Sequence, residues 1–166
     1  MKFYEGDTVM HWTHGLGQIL RLEERDLSGV TTLYYAVQIR DMTVWVPSDG
    51  ELQFRLRAPT SLSGFKTLIA ILSTPGEPLP DDRQERKTLL LGYLRDGRTQ
   101  SLFQIIRGLH AYRKIRPLNE NDQSILRQAR NSLLGEWGFV LSISPVQAEH
   151  EMNHWLMSEP ANIINE

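Results

Sequence analysis

At Pro59 the spacing of apolar residues changes from two to about 3.6, so the chain cannot be built from one kind of regular structure. Before it, Leu33, Tyr35, Val37 and Ile39 alternate with Tyr34, Gln38 and Arg40, the pattern of a half-buried strand. Gly15 and Gly17, Ser28-Gly29, Asp41 and Ser48-Asp49-Gly50 punctuate the same region with turn chemistry. About five short strands in a strongly bent antiparallel sheet or barrel follow from that spacing, of SH3-like or Tudor-like size.

After Pro59 the pattern predicts helices. Ser61 to Ser73 carries Leu62, Phe65, Leu68, Ile69 and Leu72 at helical spacing, and a stiff loop through Pro75-Gly76, Pro78 and Pro80 follows. A second helix is expected from about Asp82 to Asp96 with Gly97 as its stop, and a third from Thr99 to about Ile115, closed by Pro117. Asn119 is a plausible cap for a fourth, whose stripe is Ile125, Leu126, Ala129, Leu133 and Trp137. Ser144-Pro145-Val146-Gln147 opens a last one, with Ser at the cap and Pro at the first helical position. The expected fold class is α+β: a small Tudor-like or SH3-like β-barrel at residues 1–58, then an all-α domain at 59–166.

Charge is distributed unevenly over this plan. The chain carries a formal net charge of -2, yet nine of its 18 Lys and Arg fall between Arg83 and Arg116, where only Glu85 and Asp96 oppose them. Such a segment suits a polyanion held by one region of the fold, although a solvated helix face gives the same pattern. Arg86 and Lys87 stand near the start of the second helix, where backbone N–H groups also favour phosphate. Arg113, Lys114 and Arg116 stand at the end of the third, where cations suit the helix dipole without any nucleic acid. There is no cysteine, which excludes disulfides and thiolate metal sites and makes a reducing, cytoplasmic compartment the natural expectation. The opening residues lack the apolar stretch of a signal peptide, and no run approaches the ~18 apolar residues of a membrane span.

Two stretches resemble a known family. Gly6-Asp7-Thr8-Val9-Met10-His11, His14-Gly15-Leu16-Gly17-Gln18-Ile19, Tyr34-Tyr35-Ala36-Val37 and Met42-Thr43-Val44-Trp45-Val46-Pro47 resemble the N-terminal domain of CarD-family bacterial transcription regulators, a module also present in the transcription-repair coupling factor. Leu94-Arg95-Asp96-Gly97, Ile105-Ile106-Arg107-Gly108-Leu109, and Ala129-Arg130 with Leu133-Leu134-Gly135-Glu136 look like that family's helical domain.

The resemblance implies a cytoplasmic, nucleoid-associated, non-enzymatic regulator without cofactor or membrane partner. Its Tudor-like domain would dock on the RNA polymerase β subunit, and its helices would contact promoter DNA at phosphates and minor groove, weakly when alone, to support the open complex. Arg25 and the strand Val44-Trp45-Val46 match positions facing the polymerase. Trp45 stands where the family often has a basic residue, and Trp12 where it usually has proline. Strand alternation turns Val44 and Val46 inward and Trp45 outward, as a partner anchor or as a seat for the helical half. On the DNA side the implied set is Arg83, Arg86, Lys87, Arg107, Arg113, Lys114 and Arg116. The family's aromatic wedge aligns with Arg83, and an Arg in a narrow groove acts differently from an apolar wedge. Leu79 is a shorter candidate wedge or else a structural plug. A second reading is therefore a polymerase-interaction module without productive DNA contact.

A third comes from the enzyme class. His150-Glu151-Met152-Asn153-His154 spells H-E-x-x-H, which on a helix would place two imidazoles one turn apart for zinc, with Glu151 as general base. The pattern does not continue into the extended metzincin form, and a surface helix is the expected reading. Gly15-Leu16-Gly17 lacks a third glycine and does not open a helix, so it is read as a turn, with His11 and His14 as satisfied turn histidines.

Overall fold

The computed structural model describes residues 2–158 and divides into two compact units, Met1–Pro59 and Thr60–Glu166. The end of the expected helical domain, 159–166, lies outside the described residues.

The first unit is a five-stranded antiparallel sheet of β1 (Thr8–His11), β2 (Gly15–Leu27), β3 (Val30–Ile39), β4 (Met42–Pro47) and β5 (Leu56–Arg57), in the order β4-β3-β2-β1-β5. A 3-10 turn at Leu52–Phe54, absent from the sequence reading, precedes β5. Hydrogen bonds do not close the sheet into a barrel, because β4 and β5 remain its edges. Side chains of both edge strands, Val46 and Leu56, nevertheless share one core with Val9, Ile19, Tyr35, Val37 and Ile39. Gly17 is required there, since a Cβ would stand 2.8 Å from Ile39 Cγ1 and 2.9 Å from Val37 Cγ1.

A bulge in β2 decides what the sheet shows outside. Ile19 pairs with Val37 but Arg21 pairs with Ala36, so one extra residue, Leu20, reverses the alternation beyond it. Gly17 and Ile19 face the core before the bulge, whereas Arg21, Glu23 and Arg25 join the outer face after it. Leu33 keeps the face of buried Tyr35, Val37 and Ile39 along β3, yet it is exposed because it stands beyond Tyr34–Pro47, the last pair that β3 makes with β4.

The second unit contains α1 (Leu62–Ile69) with a 3-10 extension at Ala70–Ser73, α2 (Arg83–Asp96), α3 (Thr99–Arg113), α4 (Glu120–Leu141) and α5 (Pro145–Met157). Its boundaries follow local capping chemistry. Ser61 accepts from Gly64 N, Asp82 from Gln84 N, and Ser144 from Gln147 N, while Asn119 and Asp122 form a reciprocal capping box. Gly97 ends α2 in the left-handed region at φ 67°, which costs glycine nothing. At the centre Phe65, Phe103 and Trp137 meet with ring centroids 5.4 to 6.0 Å apart, two of the three pairs edge-on. Glu136, fully buried, accepts from Thr60 N at 2.9 Å and from the Thr99 hydroxyl at 3.2 Å, tying the start of the unit to α3 and α4.

Candidate functional site

On the sheet unit the outer face is organised around Trp45. Ala36 of β3 pairs with both Trp45 of β4 and Arg21 of β2, and being small it leaves room for the indole and the arginines to meet across it. The Arg25 guanidinium lies 4.3 Å from the Trp45 ring centroid and that of Arg21 lies 5.3 Å away. Each such contact contributes about 0.5–1 kcal/mol at an exposed site, and together they hold the indole in one orientation. Arg21 also pairs with Glu23 along the strand. The result is a flat, half-buried aromatic flanked by two cations. Arg25 and Trp45, named from the sequence, do come together; Arg21 was missed, because its place depends on the bulge.

Val44 and Val46 need correcting as contact residues. Val46 is 1% exposed within the core and Val44 packs against that core, so neither side chain is presented to a partner. What this strand offers besides Trp45 is its free edge, since only β3 pairs with it.

On the other side of the first unit, His11 Nδ1 accepts from the backbone N–H groups of Thr13 and His14, both at 3.2 Å. Burial, reinforced by the neighbouring His14 ring, lowers its pKa to about 4. The ring is a turn lock, held neutral.

The basic stretch of the helical unit splits into groups. Arg86 is 3% exposed. Its Nε and Nη2 donate to the two carboxylate oxygens of Asp122 at 2.9 and 3.0 Å, and Nη1 donates to Pro80 O, Asp81 O and Tyr112 Oη. With all three guanidinium nitrogens engaged inside the protein and the side chain buried, Arg86 is removed from the DNA-contacting set and belongs to the core. Arg107, 6% exposed, is likewise no duplex contact. The expected anion site at the start of α2 is also occupied: the Asp82 carboxylate accepts from the first free N–H groups, and Asp81 and Glu85 stand beside exposed Arg83. Leu79 packs onto Gly108, which makes it the plug and not a wedge.

Arg113, Lys114 and Arg116 remain exposed and line an open groove of about 770 Å³ between the end of α3 and the first half of α4. Arg127 and Arg130 of α4 line the same groove. These two are the only Lys or Arg after position 116, and neither stood in the expected DNA-contacting set, whose basic stretch ended there. Their spacing of three, beside the apolar stripe Ile125, Leu126 and Ala129, was the available signal. Two of the five cations are partly spent, Arg116 on Asp81 at 3.3 Å and Arg130 on Glu149 at 3.2 Å. The pKa of nearby His110 is lowered by burial first and then by Lys114, Arg113, Arg107 and Arg130, which registers the positive field at this end of the unit. The Asp81–Arg116 pair and the Arg86–Tyr112 bond place the start of α2 at the same end, with Arg83. Arg95 and Arg98 are at the far end of α2, roughly 20 Å along a helix of this length.

The H-E-x-x-H pattern resolves differently from a zinc site. His150 and His154 are exposed on α5, but the Glu151 carboxylate accepts the indole N–H of buried Trp137 at 3.0 Å. Its partner is a structural one. Among the described residues no group of three or more His, Cys, Asp or Glu converges on a point that could hold a metal ion.

The described residues thus present an aromatic platform on the sheet unit and a cationic groove between α3 and α4 of the helical unit. Residues 3–55 match the family described as CarD-like/TRCF RID domain, and the N-terminal unit is a CarD-like RNA polymerase-interacting domain. Over 147 residues, 87% of this chain and 96% of the relative, the sequence is 24% identical to the Bacillus subtilis protein named "Putative transcription factor YdeB". No helix among the described residues is long and apolar enough to cross a membrane.

Proposed function

We propose that this chain is a transcription regulator that docks on the β subunit of RNA polymerase with the outer face of β2–β4 and lays the α3–α4 groove on promoter DNA. The observation that carries the reading is the Trp45 platform, clasped by Arg21 and Arg25, on the unit that matches a polymerase-interacting domain. A rigid, half-desolvated Trp flanked by Arg is the composition of an interface anchor. In the groove, Arg113, Lys114, Arg116 and Arg127 supply about four phosphate contacts, which position the protein on DNA without reading its sequence. Such binding is weak alone, and tethering to polymerase raises the effective DNA concentration enough for it to matter. A regulator that binds the open promoter complex better than the closed one shifts their ratio tenfold per ~1.4 kcal/mol of that difference.

The test is capture of the polymerase β lobe by the full chain and its variants. Trp45→Ala and Arg25→Glu should each weaken capture at least tenfold, taking a hot-spot residue as roughly 2 kcal/mol. Undiminished capture by both would remove this face from the interface.

A second reading, polymerase binding without productive DNA contact, is favoured by the acidic surroundings of Arg83 where the aromatic wedge of the resembled family would stand. Promoter opening that is unchanged by Arg113→Glu with Arg127→Glu, while polymerase capture persists, would select it.

A further inference from the structure

Among the described residues, Arg107 is the one member of the basic stretch that is buried without a partner for its guanidinium. It is 94% buried and its Nε has no hydrogen-bond partner, the only side-chain nitrogen or oxygen atom so placed among the described residues. No carboxylate answers it: burial alone acts on its pKa, which is lowered, and no ion pair or hydrogen bond to its guanidinium is present among the described residues. Leaving a buried donor unsatisfied is destabilising, and more so when the group is charged. Arg86, only one helix away, shows what the same side chain does when the fold provides its own acceptors.

Arg107 lines a cavity of about 380 Å³ enclosed by the 3-10 turn after α1, the 74–79 connection, α2 and α3. This is within the size range of about 300–1,000 Å³ typical of small-molecule sites. Its walls are of two kinds. Ile71, Leu79, Leu89 and Tyr93 are apolar, whereas Thr74 and Gln104 add neutral hydrogen-bonding groups. Glu77, the only carboxylate in the lining, makes no ion pair with Arg107. Gly76 allows the connecting loop to run directly over the arginine, since a Cβ there would stand 3.1 Å from Arg107 Cγ. Leu79 seats against Gly108 of α3 and closes the floor.

We infer that this cavity is a binding site for a small amphipathic anion, a carboxylate or phosphate monoester on an apolar body, whose oxygens satisfy the buried guanidinium of Arg107. The planar fork of Arg matches either head group, and charge-assisted bonds are the strong kind. The apolar walls take the body of the ligand. A nucleic-acid duplex is the wrong size, because it cannot follow its phosphate into a recess of about 380 Å³. The inference does not rest on the proposed polymerase or DNA contacts.

Titration of the full-length chain with benzoate, octanoate and phenyl phosphate, with benzamide as the neutral control, tests it by amide NMR. The expected result is saturable shifts at Gly76, Gln104 and Gly108 from at least one anion. Benzamide should bind at least about tenfold more weakly, since a charge-assisted bond is worth roughly 1.5–3 kcal/mol. Arg107→Gln should abolish the preference for the anion. Gln104→Trp, which fills the cavity while retaining the arginine, should block binding altogether and serves should Arg107→Gln fail to fold. Benzamide binding as well as benzoate overturns the inference. So do the absence of saturable shifts from all three anions, anion binding unaltered in either variant, or shifts confined to Arg113, Lys114 and Arg127 in the α3–α4 groove. Carboxylates shifting the cavity where phenyl phosphate does not, or the reverse, identify which head group the site prefers.

Discussion

Arg86 and Arg113 lie on neighbouring helices in the same basic stretch, and the fold treats them in opposite ways. At the start of α2 the arginine is sunk into a socket of one carboxylate, two carbonyls and a phenol. At the end of α3 the cations stand in a groove with too few acids to neutralise them. The difference teaches that a charge count along the chain measures composition and not surface potential. An Arg at helical spacing with Leu90 and Leu94 faces inward as readily as they do if a carboxylate awaits it.

That comparison can be broken most sharply by removing Arg86. Arg86→Met leaves Asp122 buried without its partner and should cost about 3–5 kcal/mol, read as a lowered urea midpoint. Arg113→Met should stay within about 0.5 kcal/mol. If the two substitutions cost alike, the contrast is wrong. Replacing Arg86 and Asp122 together by apolar residues should restore much of the loss, because the desolvation penalty goes with the pair.

His11 extends the contrast between committed and free groups to the sheet unit. Its folded pKa of about 4 lies below the ordinary 6.5, so the unfolded chain takes up the proton more readily than the folded one. Stability is complete above about pH 6.5 and falls as the pH drops towards 4. The loss should be roughly 2–3 kcal/mol after allowance for solvent screening, and it should vanish in His11→Asn, measured by denaturant titration of both at pH 7 and pH 4.5.

The groove makes a prediction of a different kind. With about four phosphates neutralised, log K for duplex DNA should fall with log salt at a slope near -3.6, and each of Arg113→Gln and Arg127→Gln should reduce that slope by roughly 0.9. Arg86→Lys, if it folds, should leave it unchanged. The smallest expected effect is at the floor of the cavity: Gly108→Ala places its methyl 3.4 Å from Leu79, an ordinary contact, and should shift stability by less than about 1 kcal/mol.

The helix ends were legible residue by residue, because a cap is a local transaction between a side chain and N–H groups two or three positions on. Ser61, Asp82, Asn119 and Ser144 all do what their spacing implies, and Gly97 stops α2. The sheet was legible in number and face for Tyr35, Val37 and Ile39; Leu33 shares their face but stands beyond the β3–β4 pairing and is exposed, and the outward turn of Arg21 depends on one bulge residue that reversed the alternation of β2. In the candidate sites, Arg25 and Trp45 were found; Arg21, Arg127 and Arg130 were not, being brought to their places by pairing across β3 and by the packing of α4 on α3.

By itself the sequence determined the change of period at Pro59, the α+β order, the caps, and the surplus of cations between Arg83 and Arg116. Only the tertiary structure decided which of those cations are buried against Asp122, which is left without a partner beside a cavity, and which line a groove with two arginines from elsewhere. The reason is physical: backbone preference and capping act over a few residues, whereas the state of a charged group depends on which acceptors and how much water a distant segment brings to it.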